Sequence, residues 1–151
     1  MTNLKLLLPL LILFCAGCSG NTGENSHGEG FSSEDKLKLQ KYYVAGEQLF
    51  QIHCNNCHQN GKGLARLIPP LQNSDYFADD SSKLVCAIKF GLRGSISVNG
   101  TEYNQPMPAN PRLTNLEIAT LTTFIYKEFQ NQDKLLLPDE INSILDNCSD
   151  N

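Results

Sequence analysis

The segment Cys54-Asn55-Asn56-Cys57-His58 constrains the fold of this chain more than any other feature. Two thiols separated by two residues, with an imidazole directly after the second, form the pattern of covalent c-type haem attachment. The thiols can add across the vinyl groups of a haem, and the imidazole can reach its iron. The motif therefore predicts a fold organised around one covalently bound haem c.

Two other interpretations of the Cys54 and Cys57 pair compete with haem attachment. A redox-active Cys-x-x-Cys pair normally follows a strand in a βαβ unit, and the sequence before Cys54 lacks that pattern. A zinc site needs a second pair of ligands at suitable spacing. Either alternative predicts a colourless protein.

Length and charge limit the remaining classes of function. A chain of 151 residues suits one domain. Twelve basic against 16 acidic residues give a net charge of −4, so no overall positive field favours nucleic acid. The same acidic balance favours docking on a basic surface.

The first residues have the pattern of an export signal. Lys5 precedes a nine-residue apolar run, residues 6–14, which is too short to span a bilayer. The run ends in Cys15-Ala16-Gly17-Cys18-Ser19, which resembles a bacterial lipoprotein cleavage box. We expect a signal peptide over 1–17, a lipid on Cys18 and a periplasmic protein anchored to a membrane. The alternative is ordinary cleavage of the signal peptide near this position, which would give a soluble secreted product.

The rest of the chain divides into a linker and one domain. Residues 18–35 are rich in Gly, Ser, Asn and Glu, which predicts a flexible tether. The domain is expected over 36–151, with a C-terminal extension over 135–151.

Cys86 and Cys148 remain once the other four cysteines have been assigned. Two leftover cysteines in an oxidising compartment suggest a disulfide, which would stabilise the fold by roughly 3 to 4 kcal/mol. Two separately buried thiols are the alternative.

The periodicity of apolar residues predicts an all-α fold with a small β-hairpin. Main helices are expected over 34–53, 82–90 and 114–131, and a short one follows Pro138. The segment 96–103 alternates apolar and polar residues around Asn99-Gly100, which is typical of a hairpin. Pro106 and Pro108 stiffen the loop around Met107, which makes this methionine the expected sixth ligand of a haem iron.

These motifs together resemble a class I (monohaem, His/Met-ligated) cytochrome c over about residues 42–130. Gly46 and Phe50 precede the cysteine motif, Pro69-Pro70-Leu71 and Met107-Pro108 follow it, and Phe124 lies in the last main helix. The resemblance implies the cytochrome c fold, with its three main helices around the haem.

The same resemblance assigns contacts and roles to individual residues. Gly46 and Phe50 should meet Phe124, and the Pro69 carbonyl should accept a hydrogen bond from His58. Ile68 stands where the family usually has glycine. The expected haem site comprises Cys54, Cys57, His58, Pro69, Leu71, Arg93, Tyr103 and Met107, with His58 and Met107 on the iron and Arg93 and Tyr103 near a propionate.

An iron with both axial positions filled favours electron transfer over catalysis, so we expect a carrier that is not an enzyme and has no small-molecule substrate. Expected partners are a quinol-oxidising complex as donor and a terminal oxidase or reductase as acceptor. A haem enzyme or gas sensor with a displaceable Met107 is one alternative. An obligate haem subunit of a dehydrogenase or oxidase complex is another.

Overall fold

The computed structural model describes residues 30–148, so the expected signal peptide and Cys18 lie outside the described residues. This part of the chain is mostly helical and contains a single two-stranded antiparallel sheet. None of its helices is both long and apolar enough to cross a membrane. The elements are α1 Ser33–His53, α2 Asn55–His58, α3 Ser81–Phe90, β1 Ile96–Val98, β2 Thr101–Tyr103, α4 Asn115–Gln130 and α5 Pro138–Leu145.

α1 begins at Ser33, one residue before the expected start of the first helix, so its first turn overlaps the end of the expected tether. The Ser32 hydroxyl caps the helix by accepting a hydrogen bond from the Asp35 amide at 3.1 Å. Residues 33–35, which the composition placed in the tether, therefore form the first turn of α1. Glu34 and Asp35 lie where the helix dipole favours negative charge.

Helices α1 and α4 cross at Gly46, which confirms the contact expected from the sequence. A β-carbon added at Gly46 would lie 2.0 Å from the Thr120 carbonyl oxygen and 2.7 Å from the Phe124 β-carbon. The Phe50 and Phe124 rings pack beside this crossing, with their centroids 5.2 Å apart. Only glycine permits so close an approach of the two backbones.

The sequence correctly predicts where α4 begins. Thr114 and Glu117 form a capping box: the Glu117 amide donates to the Thr114 hydroxyl, and the Thr114 amide donates to the Glu117 carboxylate. Leu113 and Ile118, on either side of the cap, are both buried. The cap and these two residues fix where the chain enters α4.

α4 also holds the loop before α3 in place. The buried Tyr126 hydroxyl donates to the Phe77 carbonyl oxygen at 2.6 Å. The Gln130 side-chain amide donates to the Leu71 carbonyl oxygen at 2.9 Å. The loop over 71–77 is thus tied to α4, the most buried helix among residues 30–148, and it forms a wall of the cavity described below.

The β-hairpin pairs Ile96 with Tyr103 and Val98 with Thr101. Asn99 and Gly100 turn the chain with φ of 50° and 72°, the left-handed conformations that Asn-Gly turns supply. Val98 and Tyr103 are both buried, so one face of the hairpin packs against the protein.

α5 packs against α3 and α4 through the fully buried Ile141. Just beyond α5, the chain brings the Cys148 sulfur against that of Cys86 in α3, with the two Cα atoms 5.8 Å apart. That separation is usual for a disulfide. The C-terminal extension therefore packs against the domain that it follows.

Candidate haem site

Two adjoining apolar cavities lie between α3, the hairpin and the segment after α2. The space that a water-sized sphere can reach is about 60 Å³ in the first and about 180 Å³ in the second. Five residues line both cavities: His58, Pro69, Leu92, Ile96 and Met107.

The His58 imidazole is buried and held by its Nδ1 atom, which lies 3.3 Å from the Pro69 carbonyl oxygen. In this arrangement Nδ1 carries the proton and donates, which leaves the lone pair of Nε2 for a metal. Burial lowers the pKa of His58, and the hydrogen bond to Pro69 opposes the shift. The neutral ring, the form that binds metals, is therefore favoured.

The turn after His58 needs no glycine at position 68, although the family usually has one there. Gly63, with φ of 70°, donates its amide to the His58 carbonyl oxygen at 2.9 Å. A β-carbon at Gly63 would lie 2.3 Å from the Ile68 carbonyl oxygen. Glycine at 63 thus allows the close approach that brings Pro69 under the imidazole.

The two cysteines of the motif are free thiols, and each borders one of the cavities. Cys54 is partly buried and lines the first, and Cys57 is exposed and lines the second. Burial raises the pKa of Cys54 to about 12, with a smaller effect from Cys57. His58 lines both cavities, so each cysteine of the motif shares a cavity with this histidine.

Met107 reaches the same space from a distant part of the sequence. It is partly buried, and its backbone pairs with Leu92 through two hydrogen bonds of 3.0 Å. A β-carbon at Gly91, which has φ of 78°, would lie 2.4 Å from the Met107 carbonyl oxygen. The sequence indicated only that Gly91 ends α3, whereas the structure shows that it also lets the Met107 loop pack closely.

The C-terminal end of α3 fixes the segment after Met107 as well. The Ile88 carbonyl oxygen accepts hydrogen bonds from both the backbone and the side-chain amide of Asn110, each at 3.2 Å. The Lys89 ammonium donates to the carbonyl oxygens of Pro111 and Leu113 at 3.0 and 2.8 Å. The sequence carried no signal for these contacts because they join residues more than twenty positions apart.

The remaining expected site residues are not all in one place. Leu71 lines the first cavity and Tyr103 the second. Arg93 lines neither, and it lies on the surface in a shallow outer depression with Phe90 and Met107. Tyr103 and Arg93 thus border different spaces, and both of these spaces are lined by Met107.

The residues present fit a covalently bound haem. The walls of the first cavity are almost entirely apolar, as a porphyrin requires, and include Leu71, Phe77 and Ile88. The groups in the two linings that can attach a haem or ligate its iron are two thiols, one imidazole with a free nitrogen and one thioether. Within residues 30–148, no three or more His, Cys, Asp or Glu side chains converge on a metal site.

The chain is similar to known c-type cytochromes. Residues 43–127 match the family model described as cytochrome c. Two curated relatives, both named cytochrome c-552 and both from Thermus thermophilus, are 34% identical to this chain over 77 residues. The aligned region covers 48% of this chain and 59% and 52% of the relatives, so the chain spans just over half the length of each. The family match implies covalently bound haem c, and the chain belongs to the cytochrome c family.

Proposed function

We propose that this protein carries single electrons, using a haem c attached to Cys54 and Cys57 with His58 and Met107 as axial ligands. The observation that supports the proposal is that these four side chains line two adjoining apolar cavities. When bound, the group supplies an iron that alternates between the ferrous and ferric states.

The chain contributes the ligands and their surroundings. The Pro69 carbonyl holds the His58 ring in the tautomer that offers Nε2, and it increases the basicity of that nitrogen. The soft thioether of Met107 favours the reduced state. The apolar walls disfavour the extra positive charge of the oxidised state, so the residues together favour a high reduction potential.

The way in which Met107 is held favours a carrier over an enzyme or gas sensor. Its loop is tied to α3 by backbone pairing with Leu92 and by close packing on Gly91. A ligand held in this way keeps its position when the charge on the metal changes. No histidine follows His58 in the sequence to act as a distal acid or base.

A potentiometric titration of the holoprotein, followed by its visible spectrum, tests this function. We expect one reversible transition with a slope of one electron and identical oxidative and reductive curves. Rapid turnover of peroxide, or a redox transition that requires an added axial ligand, would favour the enzyme or sensor alternative.

Gly91→Ala should displace Met107 while leaving the haem attached. The added methyl group would clash with the Met107 carbonyl oxygen, and φ of 78° is strained for alanine. The weak sulfur-to-iron absorption band should fall to less than half its normal intensity. Gly100→Ala is the matched control because Gly100 has φ of 72° with no atom within 4 Å of the added carbon, and it lines neither cavity. Equal loss of the band in both variants would show that backbone strain alone is responsible.

We also propose that Cys86 and Cys148 form a disulfide, as their proximity suggests. Replacing both by serine should lower the free energy of unfolding by about 3 to 4 kcal/mol, because the unfolded chain loses a cross-link that closes a 62-residue separation. Denaturant unfolding of the holoprotein measures this change. Free thiols at both positions in the unreduced protein would contradict the disulfide.

We further propose that Cys18 anchors the protein to a bacterial membrane, on the periplasmic side, where a donor complex and an oxidase or reductase are accessible. A tether of about fifteen residues before α1 would raise the effective concentration of these partners. Cys18→Ser should move the protein from the membrane fraction to the soluble fraction and leave its spectrum unchanged. Persistence of the variant in the membrane fraction would show that another feature holds it there.

A further inference from the structure

The segment from Met107 to Leu113 is held on α3 at both of its ends. Its first residue, Met107, pairs with Leu92 just beyond α3 through two hydrogen bonds of 3.0 Å. Its last residues are held by Lys89, in the last turn of α3, whose ammonium donates to the carbonyl oxygens of Pro111 and Leu113 at 3.0 and 2.8 Å. The end of one helix thus fixes both ends of the segment that begins at the proposed axial ligand.

The two carbonyl groups that Lys89 holds have no backbone partner in the described chain. Among residues 30–148, no backbone amide donates to the carbonyl oxygen of Pro111 or of Leu113. The Leu113 residue is buried, and its hydrogen bond to Lys89 is partly buried. Loss of the lysine would leave this carbonyl without its donor, which costs more free energy than the loss of a fully exposed hydrogen bond.

The charge of Lys89 is directed at these carbonyl groups and not at a carboxylate. Within residues 30–148, the one ion pair joins Lys127 and Asp133. A hydrogen bond from an ammonium is charge-assisted and stronger than one between neutral groups. The last turn of a helix also suits a cation, because the helix dipole is negative there. Both effects strengthen the attachment of the segment to α3.

The backbone between the two attachment points is stiff. Pro108 and Pro111 are two of the seven residues from 107 to 113. The ring of each proline fixes its φ, and Pro111 is itself one of the residues that Lys89 holds. A displacement at the far end of the segment is therefore transmitted toward Met107 and is not absorbed by free rotation.

Asn110 attaches the middle of the segment at a single point. Its backbone and side-chain amides both donate to the Ile88 carbonyl oxygen, each at 3.2 Å. Because the two bonds share one acceptor, they leave the segment able to turn about that atom. Lys89 follows Ile88 in the sequence and removes this freedom by holding the residues beyond Asn110.

We propose that Lys89 is a positioning residue for the axial ligand: its ammonium holds the far end of the segment on α3 and so keeps the Met107 thioether in the haem site. The proposal rests on the proposed function, since it concerns the ligand assigned there. Lys89 lines neither cavity, so it acts through the segment and not as a ligand. Its loss should favour opening of the Met107 loop while the haem stays attached.

Imidazole binding to the oxidised holoprotein measures how readily Met107 is displaced. Lys89→Leu removes both hydrogen bonds without adding a second thioether near the site. We expect this variant to bind imidazole at least about tenfold more tightly than the unaltered protein, because one charge-assisted hydrogen bond is sufficient for a tenfold change in an equilibrium. Lys89→Arg restores a charged donor, so its affinity should return to within about threefold of the unaltered value.

Lys62→Leu is the matched control. Lys62 is exposed in the turn between His58 and Pro69, both of which line the second cavity, and within residues 30–148 it forms no ion pair. The substitution removes the same charge near the site but no hydrogen bond to the segment, so imidazole affinity should change less than about twofold. An equal gain in affinity in Lys62→Leu and Lys89→Leu would show that the lost charge is responsible and would overturn the proposal.

Amide hydrogen exchange in the reduced holoprotein separates a local role from general stability. The Met107 amide, which donates to the Leu92 carbonyl oxygen, should exchange about tenfold faster in Lys89→Leu. The amide of Phe124, a buried residue of α4, should be accelerated much less. Equal acceleration at Met107 and Phe124 would show only a general loss of stability and would overturn the proposal.

Failure of the proposal and failure of the proposed function give different results. Absence of the sulfur-to-iron band from the unaltered holoprotein would refute Met107 as an axial ligand, and with it both the proposed function and this role of Lys89. Presence of the band, with imidazole affinity and amide exchange unchanged in Lys89→Leu, would refute the role of Lys89 alone.

Discussion

Replacing both Cys54 and Cys57 by alanine is expected to abolish covalent haem attachment. These are the free thiols of the described chain, and both border the cavities that His58 lines. Without thioether bonds, acidified organic solvent should extract any haem that remains. The fold should be destabilised too, because the apolar cavity walls would be left without their contacts.

Single replacements and a second cysteine pair provide the controls for this prediction. Cys57→Ala should retain one thioether bond, since Cys54 remains at the wall of the first cavity. The Cys86→Ser/Cys148→Ser protein should keep its haem fully attached, although its free energy of unfolding falls. Haem staining of denatured protein on a gel measures attachment in all variants. Covalent haem in the Cys54→Ala/Cys57→Ala protein would contradict the assignment.

Met107→Ala is expected to lower the reduction potential by on the order of 0.1 V or more, within the roughly 0.8 V range over which axial ligands set haem potentials. Loss of the thioether removes the ligand that favours the reduced state, and water or an external ligand then takes its place. The variant should bind carbon monoxide rapidly, whereas the unaltered protein should not.

The neighbouring Pro106→Ala separates loss of the ligand from disturbance of the loop. Pro106 is exposed and lines the second cavity beside Met107, and the backbone pairing of Met107 with Leu92 does not involve it. We expect the reduction potential of the Pro106→Ala variant to stay close to that of the unaltered protein. If Pro106→Ala and Met107→Ala lower the potential equally, the thioether is not the source of the effect.

Local patterns in the sequence predict much of this fold. The Thr114-Glu117 capping box fixes the start of α4, and Asn99-Gly100 fixes the hairpin turn. Both features depend on residues close together in the chain, so they can be read from sequence alone. The first helix begins at Ser33, one residue before the expected start at residue 34, because the Ser32 hydroxyl caps it.

Contacts between distant segments could not be read from the sequence. Gly91 looks like a helix terminator in sequence, and only the folded chain shows the Met107 carbonyl packed against it. The same is true of Asn110 and Lys89, which tie the segment after Met107 to α3. The expected place of Arg93 and Tyr103 near a haem propionate stays a prediction; Arg93 borders an outer depression and Tyr103 lines the second cavity.

The absorption spectrum of the oxidised and reduced holoprotein, from the visible to the near infrared, tests the central claim most directly. His58 and Met107 as axial ligands predict a low-spin spectrum in both states, the weak sulfur-to-iron band in the oxidised state, and no change on adding carbon monoxide. A high-spin spectrum, or rapid carbon monoxide binding by the unaltered protein, would contradict the proposed pair of ligands and with it the electron-carrier function.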